Sequence, residues 1–182
     1  LLRLPEAKSV RKSLHIFGDE GLFAIRCTIV EPISRAIYGS AAFVIGQYVV
    51  GDEEEIDSLL IPAEIFNTKV LTKELNIDLF STLDSICAYQ KVLTRCIAAY
   101  SSSAMDATEA EVWKTKDLRS YLLFPNSGSF FDFLYGVYIP RQNEITFVWG
   151  HDLIPTGEIT LSQQEFLNPI REFCDFVNSM RE

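Results

Sequence analysis

Two glycine-marked blocks near the start of the chain constrain its fold more than any other feature of the sequence. The first block, IFGDEGLFAI, covers residues 16–25, and the second, FVIGQYVVGD, covers residues 43–52. Glycine adopts the backbone angles that tight turns need, and the apolar residues beside it are typical of strands. Each block therefore predicts a turn that leads into a strand.

The same blocks predict where these strands run. From Phe23 onward apolar residues alternate with polar ones, which indicates a half-buried strand that ends near Pro32. Further on, the apolar residues 42–45 and 48–50 flank the pair Gly46-Gln47. Glycine at the first position of a two-residue loop favours a type II′ hairpin turn. The alternative is one long strand with a bulge at Gly46.

Helical spacing of apolar residues marks the middle of the chain. Pro62 opens one such stretch, and a second helix is predicted from Leu79 to about Tyr89, or on to Arg95, with Asp78 as its N-cap. The residues expected to face inward are Ile65, Phe66, Val70 and Leu71 in the first stretch and Leu79, Leu83, Ile86, Cys87 and Gln90 in the second.

The C-terminal third carries the clearest strand pattern. Apolar residues alternate from Phe131 to Ile139 and, after a turn at residues 140–143, again from Ile145 to Trp149. This pattern predicts an aromatic-rich antiparallel hairpin, and Glu158 to Leu161 adds one more short strand.

The end of the chain contains two conflicting helix signals. Ser162 and Glu165 have the spacing of a capping box, but Pro169 would then lie inside the helix, where proline is disfavoured. Proline suits the first position of a helix instead. We therefore expect a tight turn or kink over residues 162–168 and a helix from Pro169 to about Met180. Its inward residues would be Ile170, Phe173, Cys174 and Val177.

Together these elements predict the α+β class, because antiparallel strands combine with helices laid to one side. We expect residues 14–182 to form a single α+β domain, with an antiparallel sheet and helices packed mainly on one side of it. Residues 1–13 are expected to form an arm or a short extra helix. A chain of 182 residues is long enough to build one hydrophobic core.

Charge and composition exclude several classes of partner. The formal net charge of −9 disfavours direct nucleic-acid binding and favours basic partners. No run approaches the roughly 18–20 apolar residues that span a bilayer, and the first residues lack the apolar core of a signal peptide. We therefore expect a cytoplasmic protein without membrane contact.

The cysteines are far apart in the sequence and form no C-x-x-C pair. We expect all of them to be small, reduced core residues, and two disulfides are the alternative if the protein is secreted. The four residues are Cys27, Cys87, Cys96 and Cys174.

No motif predicts a catalytic residue, a metal site or a cofactor. The sequence contains no nucleophile elbow, no phosphate-binding loop and no dinucleotide fingerprint. His151 and its neighbour Asp152 point apart in an extended chain, so their spacing supports no chelate. The densest charge cluster, Asp52 to Asp57, is interpreted as a solvated loop or as an acidic docking surface for a basic protein.

Several short motifs from Ile16 onward also carry a family resemblance. They are Phe17-Gly18-Asp19-x-x-x-Phe23-Ala24-Ile25, Phe43-x-Ile45-Gly46-Gln47-x-Val49-x-Gly51-Asp52, Phe147-Val148-Trp149 and Ile159-Thr160-Leu161-Ser162-x-x-Glu165-Phe166-x-x-x-Ile170-x-x-Phe173. With these motifs the chain resembles the immunity protein 42 family, whose members are encoded beside bacterial polymorphic and contact-dependent growth inhibition toxins. The middle of the chain, from Asn67 to Arg119, has no matching motif.

The resemblance implies a non-enzymatic protein that binds the C-terminal domain of one cognate toxin in the cytoplasm and blocks it. Many such toxins are nucleases with basic substrate grooves, where carboxylates can take the place of phosphates. We therefore expect the toxin to contact the acidic residues of the second block and its continuation. These residues are Asp52, Glu53, Glu54, Glu55 and Asp57.

Two other functions stay open at the level of sequence. A small hydrolase or transferase would use His151, Asp152 or a cysteine, and a deep pocket that collects His151 with a distant carboxylate or thiol would favour it. An adaptor or secretion chaperone would instead expose a broad apolar patch.

Overall fold

The computed structural model describes residues 12–30, 36–74, 76–100, 118–124 and 128–181, which form two antiparallel sheets and three α-helices. The strands of the first sheet are β1 (Lys12–Asp19), β2 (Phe23–Val30), β3 (Tyr38–Ile45), β4 (Tyr48–Val50) and β5 (Asp57–Ser58). Those of the second are β6 (Leu122–Phe124), β7 (Tyr135–Pro140), β8 (Glu144–Gly150) and β9 (Pro155–Ser162). The helices are α1 (Leu60–Phe66), α2 (Ser85–Tyr100) and α3 (Gln163–Ser179).

In both sheets the strands pair mostly in chain order. The first sheet has the order β1-β2-β3-β4, with β5 also paired to β3, and the second has the order β6-β7-β8-β9. A π-helical turn, Asn67–Leu71, continues α1, and short 3-10 turns occupy Ile77–Phe80, Leu118–Tyr121 and Ser129–Phe131. Among the described residues, no helix is long and apolar enough to cross a membrane.

The first glycine block forms the hairpin of β1 and β2, and β2 confirms the strand predicted from Phe23. Gly18 has a φ of +98°, and a Cβ atom at this position would lie 2.6 Å from the ring of Pro169 in α3. Lys12 and Ser13, the part of the expected arm that the structure describes, already pair with β2 as the first residues of β1. Residues 1–11 lie outside the described residues.

The second block forms the predicted hairpin of β3 and β4. Ile45 pairs with Tyr48 across the two-residue loop, and Gly46 has a φ of +56°. A type II′ turn requires a positive φ only at the first loop residue, and Gln47, the second, has none. The hairpin is therefore confirmed, and the alternative of one bulged strand is wrong.

The second helix begins later than the sequence predicted, and its cap is a different residue. The carboxylate of Asp84 accepts a hydrogen bond from the backbone N–H of Cys87 at 2.7 Å, so Asp84 caps α2, while Asp78 lies in a 3-10 turn. This start exposes Ile86 and Cys87, which the sequence had placed inward. Over residues 85–96 of α2, the buried side chains are Ala88, Tyr89, Val92, Leu93 and Cys96.

The last helix is continuous from Gln163, so the expected turn over residues 162–168 is wrong. Both hydrogen bonds of the capping box are formed, from Glu165 N to Ser162 Oγ at 3.2 Å and from Ser162 N to Glu165 Oε2 at 2.8 Å. Pro169 lies inside the helix and is buried, because its ring packs against the turn at Gly18. The predicted inward residues, Ile170, Phe173, Cys174 and Val177, are all buried.

The aromatic hairpin of β7 and β8 is confirmed, but it starts later than the alternation suggested. Tyr138 pairs with Phe147 within it. Phe131 belongs to a 3-10 turn, and Phe133 has a left-handed backbone with a φ of +65° and points into solvent. The chain therefore enters β7 only at Tyr135.

One hydrophobic core joins the two sheets, and Phe43 of β3 lies at its centre. The Phe43 side chain is fully buried, and five other phenylalanine rings have centroids 5.2 to 5.7 Å from its own. These are Phe23, Phe66, Phe124, Phe131 and Phe147. The α+β class is confirmed, and its strands divide into two sheets where the sequence suggested one.

The helices cover the second sheet from both faces. Phe166 of α3 contacts Phe147 of β8 at a centroid distance of 6.0 Å. Val148, the next residue of β8, points to the opposite face of the sheet, and so does Glu158 of β9, which pairs with it. On that face the Glu158 carboxylate accepts a hydrogen bond from Ser85 of α2. α2 and α3 thus enclose β7 and β8, which are almost entirely buried.

Candidate functional site

The predicted acidic residues lie on one loop, residues 52–57, which we call the acidic loop. It starts at Gly51, whose φ is +128°, and a Cβ atom there would lie 3.0 Å from the carbonyl oxygen of Ala41 and from the ring of Phe131. The backbone N–H of Asp52 donates to the carbonyl of Phe130 at 2.7 Å. The loop is therefore fixed between β3 and the turn that precedes β7.

The first half of the acidic loop is shaped by its own side chains. The carboxylate of Asp52 accepts hydrogen bonds from the backbone N–H groups of Glu54 at 2.9 Å and Glu55 at 3.3 Å. Arg26 of β2 binds Glu53 at 2.8 Å and Glu20 at 2.7 Å. The hydrogen bonds to Glu20, and then those to Glu53, raise the pKa of Arg26 above its usual value. Arg26 thus ties the loop to the first sheet.

The second half of the loop is held by Ser129. Asp57 is half-buried, and its carboxylate accepts the backbone N–H of Ser129 at 2.8 Å and that of Ser58 at 2.7 Å. The hydrogen bond from Ser129 is the main reason why the pKa of Asp57 lies below its usual value. The Ser129 hydroxyl also donates to Glu55 at 3.2 Å. Asp57 therefore has a structural role, whereas the four acidic residues before Ile56 are exposed.

A cleft of about 450 Å³ opens beside the acidic loop. Asp52 and Glu55 of the acidic loop line it together with Asp132, Phe133 and His151. All five side chains are exposed, so the cleft is open to solvent. The residues that line it are Gly51, Asp52, Glu55, Ser129, Phe130, Asp132, Phe133, Leu134 and His151.

Sequence reasoning missed Asp132 and Phe133. Alternation placed Phe133 inside a strand, whereas the structure exposes 86% of its side chain. Asp132, directly after Phe130 and Phe131, is compatible with a turn, but it does not indicate whether the ring of Phe133 is exposed or buried.

His151 enters this cleft, but its geometry is that of a loop contact. Its Nδ1 atom lies 3.2 Å from the carbonyl oxygen of Phe133. The neighbouring Asp152 carboxylate is engaged by the backbone N–H of Ile154 at 2.7 Å. In the parts of the chain that the structure describes, no group of three or more His, Cys, Asp and Glu residues could hold a metal ion.

The cysteines lack the features of nucleophiles. All four are free thiols, and Cys27, Cys96 and Cys174 are buried as expected, whereas Cys87 is exposed on α2, contrary to the expectation. Burial raises the pKa of Cys27 and of Cys174 to about 12 each. The nearby Asp84 carboxylate raises the pKa of Cys87. At neutral pH these three thiols are protonated.

The fold and the cleft define an acidic α+β domain with a solvent-open surface cleft that is lined by carboxylates. The family model of immunity protein 42 matches residues 16–176, and the chain therefore belongs to the immunity protein 42 family. This confirms the resemblance of the sequence motifs and the immunity function that it implied.

A solved structure supports the fold. The crystal structure of CdiI from Burkholderia dolosa AUO158 is similar to this protein, with a TM-score of 0.63 and 16% sequence identity. The match covers 89% of this chain and 99% of that chain. No curated protein sequence matches the chain.

Proposed function

We propose that this protein binds the C-terminal domain of one cognate toxin in the cytoplasm and neutralises it without any turnover of its own. The toxin is a nuclease of a contact-dependent growth inhibition system, and the acidic loop faces its basic substrate groove. Membership of the immunity protein 42 family is the observation that carries this proposal.

The electrostatics of the acidic loop support a basic partner. Asp52, Glu53, Glu54 and Glu55 are exposed in a chain whose net charge is −9. Arg26 partly compensates Glu53, while no lysine or arginine lines the cleft that contains Asp52 and Glu55. Such a field speeds the encounter with a positively charged groove and weakens as salt is added.

The test uses the C-terminal domain of the toxin that we expect, from the family, to be encoded immediately upstream of this chain. Co-expression of the wild-type protein should rescue cells from that domain, and stopped-flow mixing should give an association rate that falls steeply with salt. A variant with Asp52→Asn, Glu53→Gln, Glu54→Gln and Glu55→Gln should associate at least about tenfold more slowly at low salt. Asp57 is left intact because it holds the loop in place.

The matched control neutralises the same number of exposed carboxylates elsewhere, with Glu64→Gln, Asp78→Asn, Glu144→Gln and Asp175→Asn. It should retain most of the wild-type rate, because it removes the same charge from the protein but leaves the field at the acidic loop unchanged. Equal rates for the two variants would remove the acidic loop from the mechanism, and failure of the wild type to rescue would reject the proposal itself.

A second candidate, a hydrolase or transferase, is favoured by one observation. The cleft brings His151 together with Asp52, Glu55 and Asp132. In that case His151→Ala would abolish protection and any turnover of a small substrate. Under our proposal neither the wild type nor His151→Ala turns over a small substrate, and His151→Ala still protects cells.

A further inference from the structure

The two most exposed large apolar side chains of the described residues are Phe133, which lines the cleft, and Ile154, which lies between β8 and β9. Phe133 exposes 86% of its side chain and Ile154 exposes 74%. The contact between His151 Nδ1 and the Phe133 carbonyl, at 3.2 Å, joins the segment before β7 to the loop that carries Ile154. Large aromatic side chains left in water at a cleft are typical of the residues that dominate binding energy in protein interfaces.

The backbone presents Phe133 on a rigid frame. Asp132 N donates to Ser129 O at 2.9 Å, and Leu134 N donates to Phe131 O at 3.2 Å, so hydrogen bonds hold both neighbours. Phe133 itself has a φ of +65°, a left-handed conformation that an aromatic residue rarely adopts. A backbone that is already held in its final conformation loses little conformational freedom when a partner binds.

The charges around the ring indicate what kind of surface can cover it. Asp52, Glu55 and Asp132 line the cleft together with Phe133, and no lysine or arginine is among the lining residues. A partner must therefore combine an apolar pocket for the ring with cationic groups for the carboxylates. Lysine and arginine serve both purposes, because they also pack favourably over aromatic faces.

We propose that Phe133 is the anchor of the toxin interface. Its ring fills an apolar pocket of the toxin domain, and lysine or arginine side chains at the rim of that pocket pair with Asp52, Glu55 and Asp132. This inference rests on the proposed function and adds to it an aromatic contact that the acidic loop does not supply.

The experiment measures the affinity of the purified protein for the toxin domain encoded immediately upstream. Phe133→Ala should weaken binding by about 30-fold or more, as loss of an interface anchor does. Phe133→Tyr keeps the ring and should bind within about fivefold of the wild type. The matched control is Leu14→Ala on β1, where 58% of the leucine side chain is exposed, and it should change affinity less than about twofold.

Thermal melting checks that the fold is intact. Phe133→Ala should have the same melting temperature as the wild type, because the ring is 86% exposed. If the wild type binds tightly and Phe133→Ala changes its affinity by less than about threefold, the anchor role of Phe133 is rejected and the proposed function stands. A wild type that neither binds nor protects overturns the proposed function as well. If Phe133→Ala abolishes self-association in sedimentation but leaves toxin binding unchanged, the patch belongs to a second copy of the chain and the anchor is rejected.

Discussion

Gly51 offers a sharp test of how the acidic loop is held, and Gly46 is its control. Both residues have positive φ, +128° at Gly51 and +56° at Gly46. A Cβ atom at Gly51 would lie 3.0 Å from the Ala41 carbonyl oxygen and the Phe131 ring, whereas at Gly46 the nearest atom is 3.9 Å away. Alanine at Gly46 therefore tests left-handed backbone strain alone, whereas alanine at Gly51 adds crowding and a φ outside the region that L residues tolerate.

The expected magnitudes follow from these distances. Gly46→Ala should lower the free energy of unfolding by about 1–2 kcal/mol, the penalty of an alanine in the left-handed region. Gly51→Ala adds overpacking against backbone and a buried ring, so we expect a loss of about 3–5 kcal/mol. The effect of alanine on the unfolded chain is the same in both variants and cancels in the comparison.

Urea denaturation and calorimetry measure the difference. Since 1 kcal/mol corresponds to about 2–4 °C in a chain of this size, Gly51→Ala should melt roughly 10 °C below the wild type. Gly46→Ala should melt only about 3–6 °C below it. Melting temperatures that agree within about 1 °C would refute the argument that Gly51 is required by close packing.

Three further outcomes are expected. Asp57→Asn should destabilise the protein at about pH 7. Because the pKa of Asp57 in the folded protein lies below its unfolded value of about 3.9, the difference in stability from the wild type should close as pH falls through the lowered pKa. A difference in urea unfolding that stays constant with pH would contradict this. Ser162→Ala should lower the free energy of unfolding by about 1 kcal/mol in chemical denaturation through loss of the helix cap, and no loss would argue against the cap. With a thiol reagent at mildly alkaline pH, Cys87 should react first, and Cys87→Ser should remove this fast phase of labelling. Rapid labelling of Cys27 or Cys174 in the folded protein would contradict their burial.

Local patterns were sufficient wherever neighbours along the chain decide the structure. The alternation after Phe23 predicted β2, and glycine at the first loop position predicted the hairpin at Gly46. The inward face of α3 followed from its helical period, and the capping box at Ser162 formed as its spacing indicates. The acidic loop was also visible in the sequence, because consecutive carboxylates rarely enter a core.

The rest depended on contacts between distant segments or on a choice between two similar local signals. Pro169 lies inside α3 because the ring packs against Gly18, and no local rule contains that contact. The start of α2 depended on Asp84 rather than Asp78 as the cap, and both residues precede apolar helical sequence. Periodicity alone could not choose between them.

The sequence by itself determined the α+β class, the family motifs and the anionic character of this protein, since composition and short-range patterns carry that information. Only the tertiary structure decided that Asp57 is held by Ser129 and that Asp132, Phe133 and His151 complete a cleft with the acidic loop. The physical reason is that the acidic loop is more than 70 positions away from these partners in the chain, as the separation of 72 positions between Asp57 and Ser129 illustrates. Their proximity depends on the packing of two sheets around one core, which no local sequence pattern encodes.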